Sequence, residues 1–344
     1  MIRVLAKPKT GPSNPRNGLM YQAIETDFAG RVSIDPFSAG RVLRGGYDVF
    51  HMHWPDRIFA GSNLVAVIKL ISLAVMLLLF RARGTRIMWT VHNPVIKHRQ
   101  VHPVLLRRYY ILMRSLVTHF VYPSSASRRA FEAVFERLSL GQPSGAQTQI
   151  PLGLQVELQS EGLSFPADLD PDTHDYLLIV GRISDDKFLD KTIADLSPVL
   201  QEQSLHLIVA GKPKGKKMEA LAARIANDPN ITVLPRFLTN PEVNALIAKA
   251  RSVVIDYPVT NSGVATLAAA LGTPIVFSDQ QMAQDFATDY GFPHSHALRD
   301  DKGLIDWKPE NGQAAASADW DASAMSMRDI GRRYAEMYIK ISDR

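Results

Sequence analysis

An α/β protein of two successive halves facing each other across a cleft is the fold class that the 344-residue sequence predicts. Three observations carry it. Short apolar, β-branched runs alternate with helix-forming stretches through both halves. A polar, Pro-containing stretch without periodicity, Glu157 to Thr173, separates them. Finally, Ser252 to Ser278 reads as a buried strand, a small-residue turn, a helix rich in Ala and Leu closed by Gly272, and a second buried strand. A strand feeding a helix through such a turn is half of a βαβ unit. The expected organisation is a first domain over 1–155, a second over 171–325, and a C-terminal helix over 326–344 that packs back on the first.

The elements follow in order. Ile2 to Ala6 is a strand, and Lys7 to Pro15, with three prolines and a glycine, is a loop before a helix starting at Asn17. Arg41 to Tyr47 leads into Asp48-Val49-Phe50-His51-Met52-His53-Trp54-Pro55-Asp56, a strand ending in titratable and aromatic groups. Leu64 to Phe80 is 17 residues long with Lys69 as its single charge, then Arg81, Arg83 and Arg86 follow. It sits at the lower length limit for a membrane span. The strand that returns at once, Arg86 to Asn93, makes it a crossover helix on the sheet, buried or lying on a membrane surface. Lys97, His98, Arg99, Arg107, Arg108 and Arg114 add positive charge nearby, which suits anionic lipid or merely a solvated face.

Val117 to Tyr122 is a strand, Ser124 to Phe135 a capped helix, and Ile150 to Gly153 closes the half. The second half repeats the alternation. Strands are expected at Tyr176 to Val180, His206 to Ala210 and Ile231 to Leu234, and helices from Leu189, at Met218 to Asn227 and at Asn240 to Ala250. An amphipathic helix over Arg328 to Ile341 ends the chain.

Composition narrows the class. With 46% hydrophobic residues the chain is globular, and with no cysteine it holds neither disulfides nor thiolate metal sites, which fits a reducing compartment. The start, MIRVLAKPKTG, lacks the apolar core of a signal peptide and reads as a first strand. Residues 1–155 carry 20 Lys+Arg against 7 Asp+Glu, a net of +13, and 156–344 carry 19 against 27, a net of −8. The basic half suits nucleic acid, an anionic membrane surface or a diphosphate-bearing substrate, and charge alone does not choose. No nucleic-acid module is recognisable, so nucleic acid is not expected as a partner.

Candidate sites come from where ligands bind in open α/β sheets, at the carboxyl ends of the strands. In the second half Arg182, Lys187 and Lys212 follow strands and can neutralise a diphosphate. Asn261, Ser262, Gly263 and Thr266 sit at a helix start whose free N–H groups and dipole favour an anion. In the first half the loop residues Gly11, Ser13 and Asn14, with His53 and Trp54, are candidates for an acceptor. Trp54 offers an apolar face to a sugar ring, and the imidazoles and Asp56 offer hydrogen bonds. His51 shares a strand face with His53, and serves equally well as a core residue. Two histidines without a third ligand nearby do not make a metal site, and no cofactor is expected.

Several of these segments resemble a known family. Gly181-Arg182-Ile183 with Lys187, Val209-Ala210-Gly211, Asn230 to Phe237, and Ser262-Gly263 leading to Gly272-Thr273-Pro274-Ile275-Val276 resemble the C-terminal half of GT-B glycosyltransferases, which are built of two Rossmann-like domains. His51 to Asp56 and Trp89-Thr90-Val91-His92-Asn93 are similar to bacterial exopolysaccharide enzymes of that fold, including mannosyltransferases of xanthan-type assembly. The resemblance implies that Arg182 and Lys187 bind the donor diphosphate, that the Arg236-Phe237 loop lies near the nucleotide base, and that His92 faces the donor sugar. One departure stands out: where many retaining relatives carry two glutamates before the Gly-Thr-Pro turn, this chain has Val259 and Leu267.

The implied activity is transfer of a sugar, mannose from GDP-mannose with inversion, to a polyprenyl-diphosphate-linked oligosaccharide in exopolysaccharide assembly. Such an enzyme would sit peripherally on the cytoplasmic face of the membrane. With no carboxylate at Val259 or Leu267, the general base is expected from the basic half: Asp56 as base, His92 as a donor-sugar contact. A retaining UDP-sugar transferase and a non-catalytic nucleotide-binding assembly subunit are the alternatives.

Overall fold

The structure, a computed structural model, describes residues 1–10, 16–95, 101–154, 162–169, 175–184, 189–257, 261–301, 303–305 and 320–343. The chain forms two compact units: Met1–Gly153 with Met327–Arg344, and Leu154–Ser326.

The first unit is built on six parallel strands in the order β2-β1-β3-β4-β5-β6. They are β1 (Ile2–Lys7), β2 (Val32–Pro36), β3 (Val49–Met52), β4 (Arg86–Thr90), β5 (His119–Tyr122) and β6 (Ala146–Gln149). Between them run α1 (Arg16–Asp27), α2 (Ala39–Arg44), α3 (Asn63–Ala82), α4 (Pro103–Leu116) and α5 (Ser125–Arg137). Parallel neighbours need a crossover of a dozen or more residues, and helices supply it. The chain steps from β1 outward to β2, then returns to lay β3 on the other side of β1. This reversal makes the gap between the loops after β1 and β3 the switch point at which such sheets bind ligands.

Four elements of this unit are not expected from the sequence, among them β6, an edge strand with no fully buried residue. β2 is an edge strand with only Val32 and Ile34 buried, too short an alternation to stand out. The hexapeptide helix α2 follows it. α4 carries Arg107, Arg108 and Arg114 among its apolar residues, and only Tyr109, Tyr110 and Met113 of its fourteen residues are buried. α3 is amphipathic by packing, not by composition: Ala66, Leu73, Leu77 and Phe80 enter the core. Leu64, Ile68, Ile71, Val75 and Leu78, exposed by 54% (Leu78) to 71% (Leu64), face outward. Its position as the crossover between hydrogen-bonded neighbours β3 and β4 holds it against the sheet.

The last helix, α11 (Met327–Ser342), completes this unit. Met327, Ile330, Tyr334, Ala335, Tyr338 and Ile341 are buried and join Met20, Tyr21 and Ile24 of α1 in one apolar cluster. Gly331 lies where an added Cβ would stand 3.0 Å from the Met20 carbonyl oxygen, so a bare backbone lets α11 approach α1.

The second unit repeats the plan, with parallel order β12-β11-β10-β7-β8-β9. Its strands are β7 (Tyr176–Val180), β8 (His206–Ala210), β9 (Ile231–Leu234), β10 (Ser252–Ile255), β11 (Ile275–Phe277) and β12 (Ser295–Ala297). Its helices are α6 (Leu189–Glu202), α7 (Lys216–Ile225), α8 (Asn240–Lys249), α9 (Gly263–Ala270) and α10 (Gln280–Tyr290). β7 is fully buried, as expected of a central strand covered on both faces. Its switch point lies between the loops after β7 and β10.

Candidate active site

In the second unit the loops after β7, β8 and β9 line a cavity of about 510 Å³. Gly181, Arg182, Lys212, Lys214, Arg236 and Phe237 are among its walls. The β7 and β8 loops meet closely: Ile183 N–H donates to the Lys212 carbonyl and Lys214 N–H to that of Ile183. A Cβ on Gly211, whose φ is +144°, would fall on the Gly181 carbonyl oxygen, so only glycine lets the two loops touch. Arg182, Lys212 and Lys214 have no carboxylate partner among the described residues. Three uncompensated cations around a cavity at strand ends suit a ligand of several negative charges.

Arg236 differs from them. Its guanidinium forks Asp168 at 2.8 and 2.6 Å and reaches Glu242 at 2.7 Å, so its charge is spent within the protein. Glu242, hydrogen-bonded by Arg236 and by the backbone of Thr239, is held down at about 2, and its carboxylate completes the N-terminal cap of α8. Arg236 thereby rigidifies the loop that presents Phe237, an aromatic ring exposed by 80% at the cavity. A bare aromatic face there fits a stacked nucleobase better than Arg236 fits a hydrogen bond to it.

At the start of α9, Ser262 is the N-cap, its Oγ accepting from the Ala265 N–H at 3.1 Å. Gly263 is exposed beyond it. The Thr266 hydroxyl donates to the carbonyls of Ser262 and Gly263 and its side chain is buried, so it braces the turn from within. Asn261 is half-buried just before the cap. Leu267 is buried on the core side of α9. Lys187 and Val259 lie outside the described residues.

In the first unit the ends of β3 and β4 bring together a polar cluster whose extent the sequence does not reveal. His53 Nδ1 lies 3.1 Å from His92 Nε2, and His53 Nε2 lies 2.6 Å from the Tyr21 hydroxyl. Tyr21 also meets His51 Nδ1 at 2.9 Å, as does the Tyr338 hydroxyl at 2.7 Å. His51 Nε2 reaches Thr90 Oγ1 at 2.8 Å, and Thr90 meets the Tyr334 hydroxyl at 3.0 Å. An unbroken chain of hydrogen bonds thus runs from α11, through the core, to His92. Burial holds His51 down at about 3, with His92 adding to the effect, and pushes His53 well below the usual range. His92 is likewise lowered to about 3, by burial and by Arg16. All three are neutral at pH 7.

Trp54 stacks on His92, ring centroids 4.7 Å apart at 21°. This orients the imidazole from one side while His53 fixes its Nε2. Asp56 is the second residue of a 3-10 helix over Pro55–Phe59, is 8% exposed, and accepts from Asn93 Nδ2 at 3.3 Å, which ties the loop after β3 to the loop after β4. His53, Trp54, Asp56 and His92 therefore converge, whereas Gly11, Ser13 and Asn14 lie outside the described residues. His51 is a core residue bonded on both nitrogens. The sequence signal missed was the pair Tyr334 and Tyr338, one helical turn apart on the inward face of α11. Among the described residues no group of three His, Asp or Glu is placed to hold a metal.

The family model for Glycosyl transferases group 1 matches residues 174–298. That match lies wholly within the second unit. Among curated proteins no sequence match is found. Solved structures are similar in fold. The Anabaena protein Alr3699/HepE in complex with UDP has a TM-score of 0.56 at 14% identity, over 100% of this chain and 98% of that one. A UDP-forming α,α-trehalose-phosphate synthase from Burkholderia vietnamiensis has 0.54 at 11% identity, over 99% and 96%. The UDP-GlcNAc 2-epimerase from Methanocaldococcus jannaschii has 0.51 at 11% identity, over 98% and 99%. The architecture is GT-B, two Rossmann-like domains. An epimerase on the same fold shows that architecture alone does not name the reaction. The family match, together with that architecture, supports a nucleotide-sugar glycosyltransferase.

Proposed function

We propose that the protein transfers a hexose from a nucleotide sugar to a lipid-diphosphate-linked acceptor at a membrane surface. The observation that carries this reading is the cavity at the ends of β7, β8 and β9, where Arg182, Lys212 and Lys214 have no carboxylate partner among the described residues and stand beside the exposed ring of Phe237. Cations there stabilise the departing diphosphate, which is the largest charge that develops during transfer. In the first unit, Asp56 takes the acceptor hydroxyl proton, and the neutral His92 hydrogen-bonds the donor sugar. Burial and Arg16 hold the His92 imidazole down at about 3, which takes away the basicity an ordinary histidine would bring to this role. This division of roles gives inversion.

The membrane enters through α3. Its five outward apolar side chains form a stripe wider than a solvated helix needs, and Arg81, Arg107 and Arg108 stand exposed on α3 and the adjoining α4. By resemblance the donor is GDP-mannose and the product an exopolysaccharide precursor. The UDP named with the Anabaena structure favours a second reading, a UDP-sugar donor, and the retention named with a trehalose-6-phosphate synthase of the same fold is the stereochemistry that goes with it in that reading. Affinities for GDP, UDP and their sugar conjugates, measured by calorimetry on the full chain, decide between the nucleotides. The anomeric configuration of the product, read by NMR, decides between inversion and retention. Absence of binding to every nucleotide tested would remove the transferase reading.

A further inference from the structure

The first unit holds a second cavity without a role so far, of about 470 Å³, at the switch point between the loops after β1 and β3 and closed on one side by α3. Its size falls in the range of about 300–1,000 Å³ common for small-molecule sites. Its lining has two characters. Phe37, Met76 and Trp54 belong to a mainly apolar wall, while Lys7, Arg57 and Lys69 bring three positive charges. No carboxylate lines it, and none of the three cations has a carboxylate partner among the described residues. Lys69 Nζ is 3.4 Å from the Ala60 carbonyl, and the Lys7 ammonium lies 4.1 Å over the Phe37 ring.

The surroundings narrow the ligand further. α3 contributes Lys69 and Met76 to the cavity from one face and exposes its apolar stripe from another, so a molecule in the cavity lies beside the surface proposed to touch lipid. Trp54 lines the cavity and stacks on His92, which places the cavity wall to wall with the histidine cluster. A purely apolar ligand would leave three cations unanswered. A free phosphate would leave the apolar wall in contact with water.

We infer that this cavity binds the lipid end of the acceptor: an isoprenoid or alkyl phosphate, its chain against Phe37 and Met76 and its phosphate or diphosphate between Lys7, Arg57 and Lys69. The inference rests on the transfer reading for the identity of its ligand as acceptor. In that pose the first sugar, attached to the phosphate, extends past Trp54 toward His92 and Asp56. Charge-assisted bonds from three cations fix the head, and burial of the chain sets which lipids are accepted.

The test uses the full chain and calorimetric titration with farnesyl diphosphate, inorganic diphosphate and farnesol. Farnesyl diphosphate should bind at a single site at least tenfold more tightly than either of the others. Lys69→Gln and Arg57→Gln, both at exposed positions, should each weaken it by about tenfold. Met76→Trp, which fills the apolar end, should abolish the advantage of farnesyl diphosphate over inorganic diphosphate, with circular dichroism and melting temperature confirming the fold. Equal affinity for farnesyl diphosphate and inorganic diphosphate overturns the inference, as does unchanged affinity in both cation variants. Binding to anionic bilayers without binding of farnesyl diphosphate overturns it in favour of a lipid surface. Nucleotide affinity, measured in parallel, separates this from the transfer reading: farnesyl diphosphate bound without any nucleotide retains the cavity and removes the transferase, and the reverse removes only the cavity.

Discussion

His92 and Asp56 stand a few residues from strand ends, yet they are held by different means. His92 is clamped between a ring stack with Trp54 and a hydrogen bond to His53, while Asp56 is fixed by its short helix and by Asn93. If Asp56 is the base, Asp56→Asn should lower turnover by about 10²–10⁴-fold with nucleotide affinity nearly unchanged. His92→Ala should instead impair use of the donor sugar while leaving affinity for the bare nucleotide. Near-normal turnover in Asp56→Asn, with collapse in His92→Ala, would exchange their roles. The buried imidazoles also make stability depend on pH. His51 and His53 titrate well below the value of about 6.5 expected unfolded, so beneath pH 6.5 the unfolded chain binds protons that the native chain refuses. Their contribution is complete above pH 6.5 and is lost progressively toward pH 3, at about 1.4 kcal/mol per histidine for each pH unit. Denaturant midpoints should therefore fall between pH 7 and pH 5. A flat profile over that range would contradict the neutral assignment.

At the scale of elements, α3 is the segment whose composition and placement disagree most with an ordinary crossover helix. Its inward residues are core, so its outward residues can change without touching folding. Ile71→Asp with Val75→Asp should leave the melting temperature nearly constant, because both side chains are exposed by about 60%. The same pair should abolish sedimentation with anionic vesicles, and high salt should weaken binding of the unaltered protein only in part, since salt screens the arginines but not the apolar stripe. Vesicle binding that survives the double substitution would place the contact elsewhere. Elements with strong internal pattern were legible in the sequence: Tyr176 to Val180, the Ser262 cap and the Ser124 cap lie where the residues put them. Those whose pattern is diluted were not. α4 buries three of its fourteen residues, and β2 only two of five. The polar cluster was half legible. Strand alternation places His51 beside His53, but the partners Thr90, Tyr334 and Tyr338 come from distant segments that only the parallel sheet and α11 bring together. Arg236 shows the same limit: nothing local foretells that Asp168 occupies its guanidinium.

For the whole molecule, the two units have separate apolar cores, one set around β7 to β12 and another around β1 to β6 with α11. A nucleotide held in the cavity at the ends of β7, β8 and β9 should therefore stabilise the second unit in particular. A ligand that binds only the native state at a hundredfold over its Kd adds about 2.7 kcal/mol. Hydrogen exchange followed peptide by peptide should show GDP or UDP slowing exchange around Gly181 to Ser184, Gly211 to Lys214 and the start of α9. The core of the first unit, including β3 and α11, should keep its own exchange rates. Arg182→Ala and Lys212→Ala remove charges that line the cavity and have no carboxylate partner among the described residues, so neither should destabilise the free protein. Each should weaken nucleotide diphosphate binding by roughly tenfold and reduce the ligand's protection in step. Arg236→Ala should behave differently, because it frees Asp168 and Glu242 and loosens the loop that carries Phe237: the free protein should exchange faster there before any ligand is added. Protection confined to the first unit, or full nucleotide affinity in the Arg182→Ala, Lys212→Ala double variant, would show that the cavity is not the donor site.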